Sequence, residues 1–233
     1  ASPNINSALS YMTFPVETML VNSVGTYNLL ELAKKNKAKF LYASSSEVYG
    51  EPKEHPQKET YFGNVNPNGP RACYDESKRF GEALTFSYVR KFNVNARVIR
   101  IFNTYGPRMD PNDGRVISNF ITAAIKNQPV FVYGVGKQTR SFCYVSDLIT
   151  GIIAAMGDEK TKGEVFNLGN EEEYSIMELV KIIEETMAKK IKISFAPLPE
   201  DDPSKRRPDL TKAKKILGFA QRISLRDGLI KTI

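Results

Sequence analysis

The stretch Phe40-Leu41-Tyr42-Ala43-Ser44-Ser45-Ser46-Glu47-Val48-Tyr49-Gly50 decides the fold. Residues 40–44 read as a short buried strand. The strand runs without a break into hydroxyls, a carboxylate and a glycine. In doubly wound parallel sheets, ligands gather beyond the carboxyl ends of the strands. A polar cluster at such an end is therefore placed for chemistry. Turns also select serine for reasons of their own, so the cluster alone decides nothing.

Outward from this strand, helical and extended segments alternate. Upstream, 16–36 reads as a helix, with Leu20, Val24, Tyr27 and Leu30 near helical spacing. Downstream, a loop over 50–71 rich in Pro, Gly and Asn leads to a helix over 73–91. Its apolar face is expected to include Phe80, Ala83, Leu84 and Tyr88. Strands are expected at 96–102, 130–133, 165–168 and 191–195, and helices at 116–126, 147–156 and 209–217, the last closed by Gly218. On the helix over 147–156, Leu148, Ile149, Ile152, Ile153 and Met156 are expected on one face. Ser175-Ile176-Met177-Glu178 fits a capping box that opens another helix. The segment 197–208 reads as a second long loop, and a final helix starts near Ser224. The alternation implies an α/β protein.

Tyr74-Asp75-Glu76-Ser77-Lys78 changes the weight of the serine cluster. Tyr and Lys four residues apart share one helix face. An ammonium beside a phenol is expected to lower its pKa and make it a usable base. Y-x-x-x-K by itself is common. It becomes specific with a strand-end serine some 30 residues earlier and an apolar strand soon after, and all three occur here in order.

The combined motifs resemble the UDP-glucuronate decarboxylases (UDP-xylose synthases) of the extended short-chain dehydrogenase/reductase family. They are residues 43–50, 66–79, 100–109, 113–116, 138–142, 144–148, 167–170 and 205–209. The resemblance implies a Rossmann-like doubly wound parallel sheet with a smaller α/β substrate-binding domain. The NAD-binding part would comprise 1–106 and 137–168, and the nucleotide-sugar part 107–136 and 169–233. It implies an enzyme that uses NAD to oxidise C4 of UDP-glucuronate, release CO₂ from the 4-ketone, and reduce the product to UDP-xylose.

By the same resemblance, Ser45 hydrogen-bonds the sugar hydroxyl, Tyr74 is the base, and Lys78 supports Tyr74 and the nicotinamide ribose. Ser46 stands where related 4,6-dehydratases carry an Asp, and Glu47 is shared by both groups. Arg206 would act near the sugar carboxylate. Asn103, Arg115 and Arg140 would lie near the diphosphate, and Tyr133 near the uracil. Ser2, Ala43, Phe102 and Thr104 would touch the cofactor. Family members usually pair as homodimers through two helices per subunit, here 16–36 and the one from Cys73. The rival readings are a 4-epimerase, a 4,6-dehydratase, or a noncatalytic nucleotide-sugar-binding fragment. The Gly-rich turn expected at the start of a dinucleotide-binding sheet does not precede Leu41. Gly134-Val135-Gly136 is a lone G-x-G and reads as a tight turn.

Composition narrows the partners. The chain has 233 residues, 41% apolar and 25% charged, with net charge +7. That balance favours anionic ligands. Only Lys205-Arg206-Arg207 is densely basic, and no zinc-finger or RNP-like pattern accompanies it, so nucleic acid is not an expected partner. No apolar run approaches the roughly 20 residues of a membrane span, and no signal-like start is visible. Two cysteines and one histidine make neither a disulfide framework nor a metal site. A reducing, cytoplasmic setting is the expectation.

Overall fold

The computed structural model describes residues 8–233. A helical run opens the described chain, with α1 (Ala8–Thr13), α2 (Pro15–Leu20), a π-helical turn over Val21–Gly25, and α3 (Thr26–Asn36). Strand β1 (Phe40–Ser45) follows, then a short 3₁₀ turn over Ser46–Tyr49 and the long helix α4 (Ala72–Phe92). Next come β2 (Ala96–Ile101), β3 (Thr104–Tyr105), α5 (Val116–Ile125), β4 (Val130–Tyr133), β5 (Thr139–Ser141), β6 (Cys143–Tyr144) and α6 (Val145–Gly157). The chain continues through β7 (Val165–Leu168), β8 (Glu173–Ser175), α7 (Ile176–Met187), β9 (Ile193–Ala196), β10 (Lys205–Arg206), α8 (Thr211–Leu217) and α9 (Leu225–Thr232).

A three-stranded parallel sheet, in the order β1-β2-β7, carries the site. Alternate residues point to opposite faces. Phe40 and Ala96, paired in register, join Leu30, Ala33 and Tyr88 under α3 and α4. Leu41, Ile99 and Ile101 face the other way, onto Leu148 and Ala155 of α6 and Ala213 of α8. Helices thus cover both faces, as a doubly wound sheet requires. A second apolar core joins α5, α7 and α9 through Ile117, Phe120, Leu179, Ile183 and Leu229. Leu210, Ala213 and Phe219, which the resemblance would assign to the nucleotide-sugar part, pack in the core that covers one face of this sheet.

The expected capping box is present: Ser175 Oγ accepts from Glu178 N, and Glu178 Oε2 accepts from Ser175 N. Gly218 closes α8 in the left-handed conformation, as read. Gly134 and Gly136 both have positive φ and form a turn, not a phosphate cradle.

Three helix faces differ from expectation. In the run over 15–36, Leu20, Val24 and Tyr27 are exposed, and the buried positions are Thr18, Asn22, Thr26, Leu30 and Ala33. On α4, Phe80 and Ala83 face outward, while Ser77, Gly81, Glu82 and Thr85 are buried. On α6, Ile149 and Ile153 are exposed. On the inner face of α4 the small residue makes room for a side chain: a Cβ on Gly81 would lie 2.1 Å from the Tyr42 hydroxyl. The loop over 197–208 contains the short strand β10, which pairs with β5.

Gly50 ends the 3₁₀ turn with φ 58° and ψ −144°. A Cβ there would lie 2.1 Å from the backbone oxygen of Asn64. Gly50→Ala is therefore expected to cost about 2–3 kcal/mol, from strain plus a backbone clash. A chemical-denaturation midpoint unchanged from that of the unmodified chain would contradict this.

Candidate active site

The site is assembled where β1 and β2 end. Ser45, the last residue of β1, accepts a hydrogen bond from Glu47 N at 3.2 Å and so caps the turn that follows. Tyr74 comes from the first turn of α4, and its side chain lines the same cavity as Ser45. One helical turn on, Lys78 donates from Nζ to Ala43 O at 3.0 Å, with Nζ 5.6 Å from the centre of the Tyr74 ring. The three residues predicted to act together are therefore together.

Their electrostatics correct the sequence reading. Burial pushes the Tyr74 phenol up to about 12, against a smaller downward pull from the nearby Ser45 hydroxyl. Lys78 is itself driven down to about 8 by burial. The neighbouring ammonium does not make Tyr74 a ready base in the ligand-free cavity. Desolvation disfavours the phenolate, and the Glu47 and Asp75 carboxylates add to it against the opposing pull of Arg115.

A cavity of about 420 Å³ opens in front of this group. Ala43, Ser45, Ser46, Glu47, Tyr74 and Lys78 line it, as do Phe102, Asn103 and Thr104. It continues past Arg115, Tyr133 and Arg140. Every predicted site residue among those described lines this one space except Arg206. Ser2 lies outside the described residues.

Arg206 is 1% exposed and lies under the turn rather than in the cavity. It donates to Ser46 O, to Gly50 O at 3.0 Å, and to Glu47 Oε2 at 3.4 Å. The pairing of β10 with β5 puts it there, beside Arg140 in register. In this structure it braces the turn over Ser46–Tyr49. Arg115 is closed in a two-point contact with Asp113, Nε to Oδ1 at 2.6 Å and Nη2 to Oδ2. Arg140 pairs with Asp202 at 3.0 Å.

Several residues escaped the sequence reading. Arg71 pairs with Glu47 at 2.8 Å, and Tyr11 stacks on Tyr74 with ring centres 4.9 Å apart. Burial pushes Glu47 up, but Arg206, Arg71 and Arg140 together outweigh it and hold the carboxylate at about 2. Behind the site, Arg100 grips Glu82 at 2.9 and 2.7 Å. The spacing of Tyr74, Lys78 and Glu82, four residues apart, was the available signal for that buried polar face.

Asp75 is buried beside this cluster, with Oδ1 lacking a hydrogen-bond partner. Burial and the Glu47 charge raise it from 3.8 to about 7, against the opposing pull of Arg71 and Arg206. A raised carboxyl pKa contributes stability that is full below 3.8 and is lost as pH rises through about 7. Asp75→Asn removes that loss. Denaturation midpoints are expected to shift progressively in favour of Asp75→Asn between about pH 4 and pH 8. A difference that stays flat across this range would contradict the assignment.

Lys78 has hydrogen-bonding capacity to spare for a dinucleotide's nicotinamide end. Lys78 is 6% exposed, and its ammonium carries three donors. Among the described residues its one hydrogen bond goes to Ala43 O. The remaining donors fit a ribose diol at this end of the cavity. Among the described residues no cluster of His, Cys, Asp or Glu is arranged for a metal, and no helix is long and apolar enough to cross a membrane. Both cysteines are free and buried.

Comparison with known proteins extends this picture. The family model described as GDP-mannose 4,6 dehydratase matches residues 9–232. The chain is 54% identical over 223 residues to UDP-glucuronic acid decarboxylase 4 of Arabidopsis thaliana, covering 96% of this chain and 50% of that protein. It is 49% identical to UDP-glucuronic acid decarboxylase 1 of Danio rerio, covering 96% and 53%. The chain thus spans about half the length of these relatives. Among solved structures, a UDP-glucose 4-epimerase of Thermotoga maritima with UDP-glucose superposes with TM-score 0.90 at 28% identity, over 97% of this chain and 72% of that one. A UDP-glucuronic acid 4-epimerase of Bacillus cereus, in complex with UDP-glucuronic acid and NAD, does so with TM-score 0.81 at 30% identity, over 91% and 66%.

Proposed function

This chain belongs to the GDP-mannose 4,6 dehydratase family, and from that premise we propose that it is the catalytic part of an NAD-dependent UDP-glucuronate decarboxylase that yields UDP-xylose. The observation that carries the reading is the meeting of Ser45, Tyr74 and Lys78 at one end of a cavity whose walls run on past Arg115 and Arg140. A sugar would meet the hydroxyl pair, and a diphosphate the guanidiniums, whose planar forks suit phosphate oxygens. Identity near 50% to proteins named UDP-glucuronic acid decarboxylases supports the choice of sugar.

Lys78, Tyr74, Ala43, Phe102 and Thr104 would hold the nicotinamide end of NAD. When bound, NAD supplies oxidation of the C4 carbinol and later reduction of the ketone, and its positive charge favours the phenolate. Tyr74 takes the C4 hydroxyl proton, and Ser45 holds that oxygen in reach by its own hydrogen bond. The resulting ketone lies β to the C5 carboxylate. Loss of CO₂ then leaves electrons that delocalise into the ketone as an enolate, which takes up a proton at C5, with no need of a metal. Ser46, in place of an acidic side chain, offers no group of suitable pKa to protonate a leaving hydroxyl, which disfavours dehydration.

The exposed stripe of Leu20, Val24 and Tyr27, with Phe80 of α4, supports a homodimer interface. The two free cysteines fit a reducing compartment such as the cytoplasm.

Incubation with UDP-glucuronate and NAD tests the reading. UDP-xylose formed with equimolar CO₂ is the expected result. UDP-galacturonate would point to epimerisation, and UDP binding with no turnover to a noncatalytic fragment. Either outcome would replace the proposal.

A further inference from the structure

We propose that Tyr42 is a positioning residue for Lys78, its ring bounding with that of Tyr74 the seat in which the ammonium is held. What the ammonium is used for rests on the function proposed above. The seat itself is read from the chain alone and is tested separately.

Lys78 needs such a seat. It is 6% exposed, and burial drives it down to about 8 with no charged neighbour to offset the cost. The carboxylates on the elements packed against α4 are committed elsewhere. Glu47 of the 3₁₀ turn pairs with Arg71 and Arg206, and Glu31 of α3 with Lys34. Glu17 of α2 is exposed. On α4 itself, Glu82 pairs with Arg100 of β2, and Asp75 lies beside Glu47 and Arg71. Arg97 of β2 donates to Asn95 and Thr161. Neither β1 nor the π-helical turn carries a charged side chain. What the ammonium does meet is Ala43 O at 3.0 Å, the centre of the Tyr74 ring at 5.6 Å and the centre of the Tyr42 ring at 5.5 Å. The face of an aromatic ring attracts a cation, most strongly where water is excluded.

The sequence makes room for this ring. Tyr42 is two residues after Phe40 and so stands on the face of β1 that meets α3 and α4. Gly81 follows Lys78 by three residues, on the same side of α4. A Cβ there would lie 2.1 Å from the Tyr42 hydroxyl oxygen and 2.3 Å from the ring carbon that bears it. Glycine weakens a helix interior relative to alanine. Here it lets the Tyr42 ring lie against the helix beside Lys78. The Tyr42 hydroxyl is buried and makes no hydrogen bond among the described residues. The ring face, not the hydroxyl, is therefore what Tyr42 offers. An ammonium kept charged and fixed in this way retains its remaining donors for a ribose.

NMR titration of the chain labelled at lysine Cε tests the inference, with the Lys78 resonance assigned through Lys78→Arg. In the unmodified chain Lys78 is expected to titrate at about 8. Tyr42→Leu removes the ring face and is expected to lower that value by about 0.5–1.5 pH units. Tyr42→Phe keeps the face and should stay within about 0.3 of the unmodified chain. A Tyr42→Leu titration that is unchanged or raised overturns the inference. Should Tyr42→Leu fail to fold, trifluorinated phenylalanine at position 42 decides, because it keeps the ring's shape and weakens its attraction for a cation. A titration there equal to that of Tyr42→Phe overturns the inference, and a lower one supports it. With NAD and UDP-glucuronate, the alkaline limb of UDP-xylose formation is expected to move to lower pH in Tyr42→Leu. A Lys78 shift in a chain that forms no UDP-xylose supports the seat and removes only the proposed function.

Discussion

Tyr74→Phe lowers turnover of UDP-glucuronate by about 10³-fold, within the range of 10²–10⁴ expected when a positioned acid–base group is removed. The change deletes one oxygen and little else. The ring keeps its stack on Tyr11, 4.9 Å away, so the first turn of α4 stays packed. Ser45 keeps its bond from Glu47 N, so the catalytic turn stays capped. Affinity for UDP should therefore be unchanged, and the loss should fall on kcat. Initial rates of UDP-xylose formation check this. A variant with more than about a tenth of the unmodified rate would remove Tyr74 from the proton-transfer step.

Glu82→Ala produces the largest expected loss of stability, about 3–5 kcal/mol. Glu82 holds Arg100 through both carboxylate oxygens, at 2.9 and 2.7 Å, and accepts the hydroxyl of Ser44 at 2.5 Å. Arg100 also donates to Tyr49 Oη at 2.9 Å, and Tyr49 donates to Asn167 Oδ1 at 2.8 Å. One buried pair thus ties Ser44, just before the catalytic turn, to Tyr49 at its end. Removing Glu82 leaves Arg100 charged and desolvated without its acid. Urea denaturation reads the loss directly. Removing the exposed partner of the surface pair Lys190–Glu184 is the control and should leave the midpoint in place.

Much of this arrangement was legible in the sequence because it is local. The strand over 40–45, the helix after residue 72, and the capping box at Ser175 follow from apolar runs and caps, which depend on near neighbours. The Ser45, Tyr74 and Lys78 grouping followed from spacing along a helix face and a strand end. What escaped was non-local. A search for apolar periodicity placed Leu20, Val24 and Phe80 inside, whereas close packing of α2, α3 and α4 puts Thr18, Asn22, Ser77 and Gly81 there. Arg206 was legible as a neighbour of the site, but its burial beneath the turn depends on β10 pairing with β5. Local charge reasoning about Tyr74 and Lys78 left out desolvation, the larger effect on both groups. Arg71 and Asp202 meet across more than a hundred residues of chain, and no short motif joins them.

The most direct measurement is a crystal structure of this chain with UDP-glucuronate. The account predicts the C4 hydroxyl within about 3.2 Å of both Tyr74 Oη and Ser45 Oγ, with the diphosphate beside Arg115 and Arg140. A sugar ring bound at the opposite end of the cavity, with uracil against Tyr74, would contradict it.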